Sequence, residues 1–440
     1  MKTPSRSVLI PPAALAVFLL AFVPFARAQE AVAPTTATAN PAPETAAPAP
    51  ETVAVSPEVS ALPPAAVAPE NAGTQVVGGF EPSPIEMPAL TPYRWGPVDV
   101  SPRILYRYLY GDGIRAQAGR PSNTAIHTIA PGVVFGLGPH WTLDYAPTWT
   151  LYSNRAFSDR LNHLAALNGA TSYEDWALRV SEVFASTSYP LVETGAQTSE
   201  RTWNTALNAT HSVGQRMLLD LGFGLNARFP DNFPDSREWT TTDWLHYKLS
   251  PDWDGAVGLG LGYVDVSPGP NMTFERPQVQ ISWQATQKIG FDLSGGMEIR
   301  QFNSSGAGDL KNPILSGSLH YQPDEATSLS IQIGRRVTTA FAANQVSETT
   351  YGSAAVTQRL LGEFFLTGNY AHQDAKYVST VAGVVAGRDD TYDSVGLRLS
   401  TSFYRGGTVA AIYRYSRNTS NQTNFAFSSH QIGFEVAFRF

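Results

Sequence analysis

The last ten residues of the chain alternate strictly between two kinds of position. The apolar positions are Ile432, Phe434, Val436, Phe438 and Phe440, and the polar or small positions are Gln431, Gly433, Glu435, Ala437 and Arg439. Successive side chains of a β-strand point to opposite faces, so this segment has one wholly apolar face. Such a strand fits the wall of a membrane barrel, with lipid outside and water inside. The alternative is a terminal edge strand of a soluble β-sandwich.

The same alternation recurs from about Val98 onward, which disfavours the soluble alternative. Between Met217 and Phe229 every odd position is apolar, whereas the even positions include Asp220 and Arg228. A helix would need apolar positions three and four residues apart, and these segments lack that spacing. The predicted strands are 98–110, 124–137, 140–152, 160–171, 175–187, 201–212, 215–229, 236–249, 253–265, 274–287, 290–302, 312–321, 326–337, 348–361, 363–376, 391–404, 407–418 and 429–440.

The predicted connections alternate between tight turns and longer loops such as 111–123, 338–347 and 377–390. An even strand number and short turns on the side of both termini are typical of bacterial outer-membrane barrels. We therefore predict an all-β fold, a transmembrane antiparallel up-and-down β-barrel of about 18 strands. The least regular strand is 160–171, because glycine interrupts it. If residues 157–167 form a loop helix instead, the prediction falls to 16 strands.

The start of the chain predicts export from the cytoplasm. Lys2 and Arg6 precede an apolar stretch, and Ala26 and Ala28 provide the small residues that signal peptidase needs, so 1–28 is interpreted as a signal peptide. Residues 29–92 are rich in alanine and proline and predict a disordered periplasmic linker. The barrel domain is then 93–440, and its predicted location is the bacterial outer membrane.

Composition excludes several classes of function. Removal of 1–28 leaves 27 basic against 37 acidic residues, a balance that argues against binding nucleic acid. The sequence has no cysteine, and its eight histidines are scattered. The glycines of the run 258–262 lie inside a predicted strand rather than between a strand and a helix, so they do not form a nucleotide-binding motif. We expect no catalytic residues, no cofactor and no metal, and therefore not an enzyme.

Charged residues at the polar positions of the strands are predicted to face the lumen. They are Arg228, Arg300, Arg336, Arg398, Arg414, Asp220, Asp292, Glu298 and Glu435. Arginines in a pore favour anions. The acidic residues allow a different role, in which salt bridges brace the wall. The sequence leaves both roles open.

Two resemblances come from short motifs. The alternating end with Phe434, Phe438 and Phe440 is similar to the signal that the outer-membrane barrel assembly machinery reads in Gram-negative bacteria. The runs Trp149-Thr-Leu-Tyr-Ser-Asn154, Leu161-Asn-His163, Tyr189-Pro-Leu-Val-Glu193 and Tyr413-Arg-Tyr-Ser-Arg-Asn418 resemble the β-barrel porin type 2 family. Members of that family often accompany exopolysaccharide systems, which implies export machinery as a partner.

Three functions follow as alternatives. The first is a porin-like polar pore for passive passage of solutes, narrowed by trimer contacts or by a folded-in loop. The second is the outer-membrane component of exopolysaccharide export or assembly, and the third is a structural barrel tethered to the cell wall through 29–92. Outer-membrane lipid is a partner in each, and the oligomeric state stays open.

Replacing the terminal aromatic residue tests the assembly signal. We expect Phe440→Ser to impair barrel assembly, because the exchange removes the apolar end of the closing strand. Heat-modifiable migration in gels distinguishes folded from unfolded barrels. Wild-type levels of the folded species would contradict this interpretation of the terminus.

Overall fold

The computed structural model describes residues 92–303, 306–384 and 386–440, which form 19 β-strands and a short 3-10 turn at Thr423–Phe425. The strands are β1 (Tyr93–Trp95), β2 (Val98–Gln117), β3 (Arg120–Leu137), β4 (Trp141–Tyr152), β5 (Arg160–Tyr173), β6 (Trp176–Pro190), β7 (Gln197–Val213), β8 (Met217–Pro230), β9 (Asp235–Lys248), β10 (Trp253–Ser267), β11 (Met272–Thr286), β12 (Ile289–Phe302), β13 (Leu310–Asp324), β14 (Thr327–Thr339), β15 (Gln345–Leu360), β16 (Phe364–Ser379), β17 (Asp389–Phe403), β18 (Gly407–Ser420) and β19 (Phe427–Arg439). The predicted signal peptide and all but the last residue of the predicted linker lie outside the described residues. No helix in these three stretches is long and apolar enough to cross a membrane.

The sheet closes on itself. Each strand from β2 to β19 pairs antiparallel with its sequence neighbours, and β19 pairs with β2, where Glu435 lies opposite Arg107. The short β1 forms a hairpin with the start of β2. The described residues therefore form a closed up-and-down barrel of 18 strands, as the alternation predicted. Closure removes the unpaired edge that lipid could not satisfy.

The strand that the sequence made least certain is regular. Residues 160–171 lie in β5 and pair with β4 and β6, so the loop helix and the 16-strand alternative are wrong. Gly169 lies beneath the ring of Trp141, and a Cβ atom at this position would be 2.2 Å from that ring. Glycine makes room for the indole here without ending the strand.

Turns and loops alternate between the two ends of the barrel. The end that carries Val98 and Phe440, here called the turn end, has the shorter connections, and the opposite end is the loop end. The predicted loop 111–123 is wrong. β2 continues to Gln117 and β3 begins at Arg120. The pairing register shifts twice between residues 111 and 117, which breaks the alternation from which a strand is predicted.

Apolar and polar side chains separate to opposite faces of the wall. On the outer face Val257, Val279 and Ile432 are 58%, 61% and 62% exposed. On the inner face Gln431 and Glu435 are each 2% exposed. This is the arrangement of a membrane barrel, whose apolar outer band contacts lipid.

Aromatic side chains cluster near both borders of the apolar band. At the turn end the ring of Trp283 lies 5.7 Å from that of Trp253 and 5.5 Å from that of Phe291. At the loop end the rings of Phe184 and Trp203 are 4.6 Å apart. Aromatic girdles at these two levels are typical of membrane interfaces.

The wall overlaps itself at the loop end. Pairing between β13 and β14 stops at Leu315 and Arg335, whereas β14 stays paired with β15 up to Thr339. Beyond this opening Val337 and Val346, at positions where alternation predicts the outer face, are 2% and 0% exposed.

These two valines pack in an apolar cluster inside the barrel. The cluster also contains Val264, Val266, Met272, Phe274 and Phe302 from β10, β11 and β12. The tip of the β14–β15 hairpin, residues 336–349, therefore lies against the inner face of the wall and is here called the lumenal hairpin.

Two adjacent positions of β11 test which face meets lipid. We expect Val279→Arg to destabilise the barrel by roughly 2–4 kcal/mol, because it places a cation in the apolar outer band. Gln280→Arg, one residue along on the lumenal face, should have a far smaller effect. Urea unfolding in lipid vesicles measures both. Equal losses of stability would contradict the assignment of the faces.

Candidate functional site

The loop between β6 and β7 folds into the lumen. This segment, residues 191–196, is here called the lumenal loop. Leu191 and Val192 are 2% and 6% exposed, and Val192 packs with Tyr392 of β17 and Phe427 of β19. These strands lie several positions away around the barrel, so the loop extends across part of the lumen.

A glycine allows the lumenal loop to approach β2 and the loop between β18 and β19 closely. Gly195 has φ = +65°, and a Cβ atom here would lie 3.3 Å from Cδ1 of Phe425 and 3.6 Å from Cζ of Arg115. Both the backbone conformation and the available space therefore favour glycine. Arg115 in turn donates hydrogen bonds to the carbonyl oxygens of Asn424 and Phe425, at 2.5 and 3.0 Å.

Glu193 connects three loops. Its Oε1 accepts a hydrogen bond of 2.6 Å from the backbone N–H of Phe341, in the loop between β14 and β15. Its carbonyl oxygen accepts another, also 2.6 Å, from Nη1 of Arg388, in the loop between β16 and β17. The lumenal loop, the lumenal hairpin and the β16–β17 loop are thus joined at one residue.

The surroundings of Glu193 change the pKa of its carboxyl group. Burial raises its pKa above the usual value for glutamate, and the negative charge of Asp390 acts in the same direction. The guanidinium groups of Arg228 and Arg388 and the N–H of Phe341 oppose this change without cancelling it.

Arg388 is held by a carboxylate and by aromatic rings. Its Nε donates to Oδ2 of Asp390 at 2.9 Å, and its Nη2 bonds to the same oxygen. Its Cζ lies 3.5 Å from the centre of the Phe425 ring and 4.6 Å from that of Tyr377. A planar guanidinium can pair and stack at once, so this one side chain fixes several elements.

Two predicted lumenal arginines hold the lumenal hairpin. Arg228 donates to the carbonyl oxygen of Thr339 at 2.8 Å, and its Cζ lies 4.2 Å from the ring centre of Phe341. Arg300 donates to the carbonyl oxygen of Val337 at 3.3 Å. These contacts satisfy backbone oxygens of the part of β14 that has left its neighbour β13.

Two buried carboxylates each bind a pair of arginines on the inner wall. Glu298 accepts from Nε of Arg276 and Nε of Arg300, both at 2.7 Å. Glu435 accepts from Nε of Arg107 at 2.8 Å and from Nη2 of Arg398 at 3.2 Å. The Glu298 group joins the neighbouring strands β11 and β12, whereas the Glu435 group joins β2, β17 and β19 across the closure of the barrel.

The remaining predicted lumenal residues lie away from the lumenal loop or contact other groups. The Cζ of Arg336 is 4.8 Å from the ring centre of Tyr351, and Arg414 is 9% exposed. Asp220 and Asp292 lie near the turn end, where Asp292 accepts a bond of 3.4 Å from the hydroxyl of Ser318. The structure therefore does not bring all nine charges to one place.

Sequence reasoning missed Arg115, Glu193, Arg388 and Asp390, which form the centre of the site. All four lie in segments that the sequence predicts as long loops, where alternation carries no information about direction. Glu193 ends one of the motifs that resemble the porin type 2 family, and that was its one signal. We call the group formed by the lumenal loop, the lumenal hairpin and these residues the constriction.

The terminal aromatic residues lie on the outer face at the turn end. Phe434 and Phe440 are 43% and 50% exposed, and the ring of Phe438 makes an edge contact with Phe403 at 5.1 Å. The backbone N–H of Phe440 donates to the carbonyl oxygen of Pro102 at 2.9 Å, which continues the closing ladder by one residue.

Comparisons with known proteins give remote likenesses to solved structures. No family model and no curated protein sequence matches the chain. OccK2 (OpdF) of Pseudomonas aeruginosa, solved in complex with glucuronate, is 14% identical over 78% of this chain and 98% of its own, with a TM-score of 0.43. OccAB3 of Acinetobacter baumannii is 10% identical over 78% and 100%, with a TM-score of 0.41. Because these identities and TM-scores are low, the closed barrel is established by the strand pairing of this chain itself.

Within the ranges that the structure describes, no group of three or more His, Asp or Glu side chains is arranged to hold a metal ion. The observed arrangement of the constriction consists of ion pairs, stacked arginines and backbone hydrogen bonds. It can narrow a polar passage and order the charges along it.

The raised pKa of Glu193 predicts a pH effect on stability. Because the folded protein binds this proton more readily than the unfolded chain, lowering the pH from 7 through the raised pKa should stabilise the wild type relative to Glu193→Gln. This stabilisation is complete below the pKa that Glu193 has in the unfolded chain, and it is lost as the pH rises through the raised pKa of the folded protein. Thermal unfolding of both proteins in detergent across this range measures it. Parallel pH profiles would contradict the raised pKa.

Proposed function

We propose that this chain is a porin-like channel of the bacterial outer membrane, through which small polar solutes pass passively. The observation that carries the proposal is the constriction. A closed barrel with an apolar outer face also contains a loop and a hairpin that fold into its polar interior. A barrel of this strand number encloses an aqueous channel unless something fills it, and folded-in segments reduce its width.

The charges of the interior favour a braced and narrowed pore. Glu298 and Glu435 each bind two arginines, and Arg388 binds Asp390. Paired arginines present a weaker positive field than a row of unpaired ones would, so these contacts support the bracing role over a ladder for anions. We therefore propose weak charge selectivity and a size limit that the constriction sets.

Small solutes fit this interior better than a polymer. The lumenal loop is bonded to two other loops through Glu193, and Val192 packs on strands across the barrel. A polysaccharide would have to displace these buried contacts. The export and cell-wall roles have no observation of their own among the described residues, so they are not proposed further.

Assembly and location belong to the same proposal. The aromatic terminal strand supports recognition by the barrel assembly machinery, and the apolar outer band supports insertion among outer-membrane lipids. A periplasmic arm formed by 29–92 stays a prediction from sequence.

Single-channel recording in planar bilayers tests the proposed pore. We expect stable open steps from the purified wild type without any partner protein. We expect Val346→Asp to give larger steps, because a carboxylate in the apolar cluster should release the lumenal hairpin from the wall.

The matched control is Ser353→Asp, on the lumenal face of the same strand but below the hairpin. It should leave the step size near that of the wild type. A folded wild-type barrel that stays electrically silent would overturn the porin function. An unchanged step in the Val346 variant would show that the hairpin does not limit the pore.

A further inference from the structure

A small cavity lies between the lumenal loop and the inner face of β16, β17 and β18. Its walls include Glu193, Gln373, Tyr377, Asp390, Tyr392 and Asn418. Its volume of about 10 Å³ is enough for one water molecule or one ion. Three adjacent strands and the constriction meet at this point.

Three side-chain oxygens at this cavity have no hydrogen-bond partner. They are Oε1 of Gln373, Oδ1 of Asp390 and Oδ1 of Asn418. These residues are 8%, 5% and 1% exposed, so bulk water does not reach the oxygens. Leaving buried polar atoms without partners is costly, and most such atoms in proteins bind something.

The other polar atoms of two of these residues are already used, and that use fixes how they are oriented. Nδ2 of Asn418 donates to the carbonyl oxygen of Phe425 at 2.9 Å, so its Oδ1 is the atom left without a partner. Oδ2 of Asp390 accepts both bonds from Arg388, which leaves Oδ1. The cavity is therefore supplied with acceptors.

A cation satisfies such a set of acceptors better than water does. A water molecule donates two hydrogen bonds and cannot serve three acceptors together. Carboxylate and amide oxygens are the ligands of hard cations. Magnesium usually keeps several of its own waters, and the cavity has no space for them.

The surrounding charges limit the charge of the ion. Arg388 already pairs with the carboxylate of Asp390, which leaves little net negative charge at the cavity. A divalent ion would add two uncompensated charges in a buried place, and a monovalent ion adds one.

We propose that Gln373, Asp390 and Asn418 bind a hard monovalent cation of the size of sodium beneath the lumenal loop. Glu193, on the other wall of the cavity, brings the lumenal loop to the same ion. The ion then ties the loop to β16, β17 and β18 and stabilises the constriction. The binding does not depend on whether the barrel conducts solutes.

Thermal unfolding of the full barrel in detergent tests the site. At equal ionic strength, we expect a midpoint higher by roughly 1–3 °C in sodium chloride than in choline chloride, since choline is too large for the cavity. Calcium chloride is the comparison for a divalent ion, and a larger increase at low millimolar calcium would overturn the monovalent assignment. Equal midpoints in sodium and choline would show that the cavity holds water only and would overturn the proposal.

A pair of glutamines provides the matched variants. Gln373→Met removes one ligand oxygen and should abolish the difference between sodium and choline. Gln431→Met changes a glutamine of β19 that is also buried on the inner face, at 2% exposure, with an unpartnered side-chain amide, but it does not line the cavity. It should keep the full difference. A sodium effect that persists in Gln373→Met would overturn the assignment of the site, and heat-modifiable gel migration verifies that both variants are folded.

Discussion

Backbone N–H and C=O groups that lie within the lipid must all form hydrogen bonds inside the protein, and this requirement dominates the structure. Inside hydrocarbon no water replaces a missing partner, so every strand needs a neighbour on both sides. The pairing of β19 with β2 meets that demand and turns 18 strands into one closed wall. Once the wall is closed, the period of two in the side chains sends apolar groups to lipid and polar groups to the interior.

The same demand relaxes at the loop end, and the architecture changes there. β13 and β14 separate above Leu315 and Arg335, and the lumenal hairpin turns inside the barrel. Its valines find apolar partners on the inner wall in place of lipid. The freed backbone oxygens find arginines, since Arg228 and Arg300 donate to carbonyl groups of β14 and its loop. The interior is thus a second packing surface as well as a passage.

Charges inside the barrel are used mainly in pairs. Glu435 joins arginines from two other strands, and Glu298 joins Arg276 of β11 to Arg300 of its own strand. A lost partner at either place would leave a buried charge uncompensated. At the constriction Glu193 and Arg388 link loops that come from distant parts of the sequence. Buried pairs of this kind fix geometry more than they add stability, which suits a passage whose width has to be defined.

The sequence alone determined the barrel, its strand number and the face to which most side chains point, because lipid and water impose a strict period on a closed sheet. Even β5, interrupted by Gly169, kept that period. The tertiary structure decided each feature in which the chain departs from this period of two. β2 continues, with two register shifts, through a segment that the sequence predicts as a loop. Val337 and Val346 are buried inside the barrel because the hairpin that carries them turns inward. The constriction was decided in the same way, since Glu193, Arg388 and Asp390 meet only when separate loops converge, and no local pattern records that convergence.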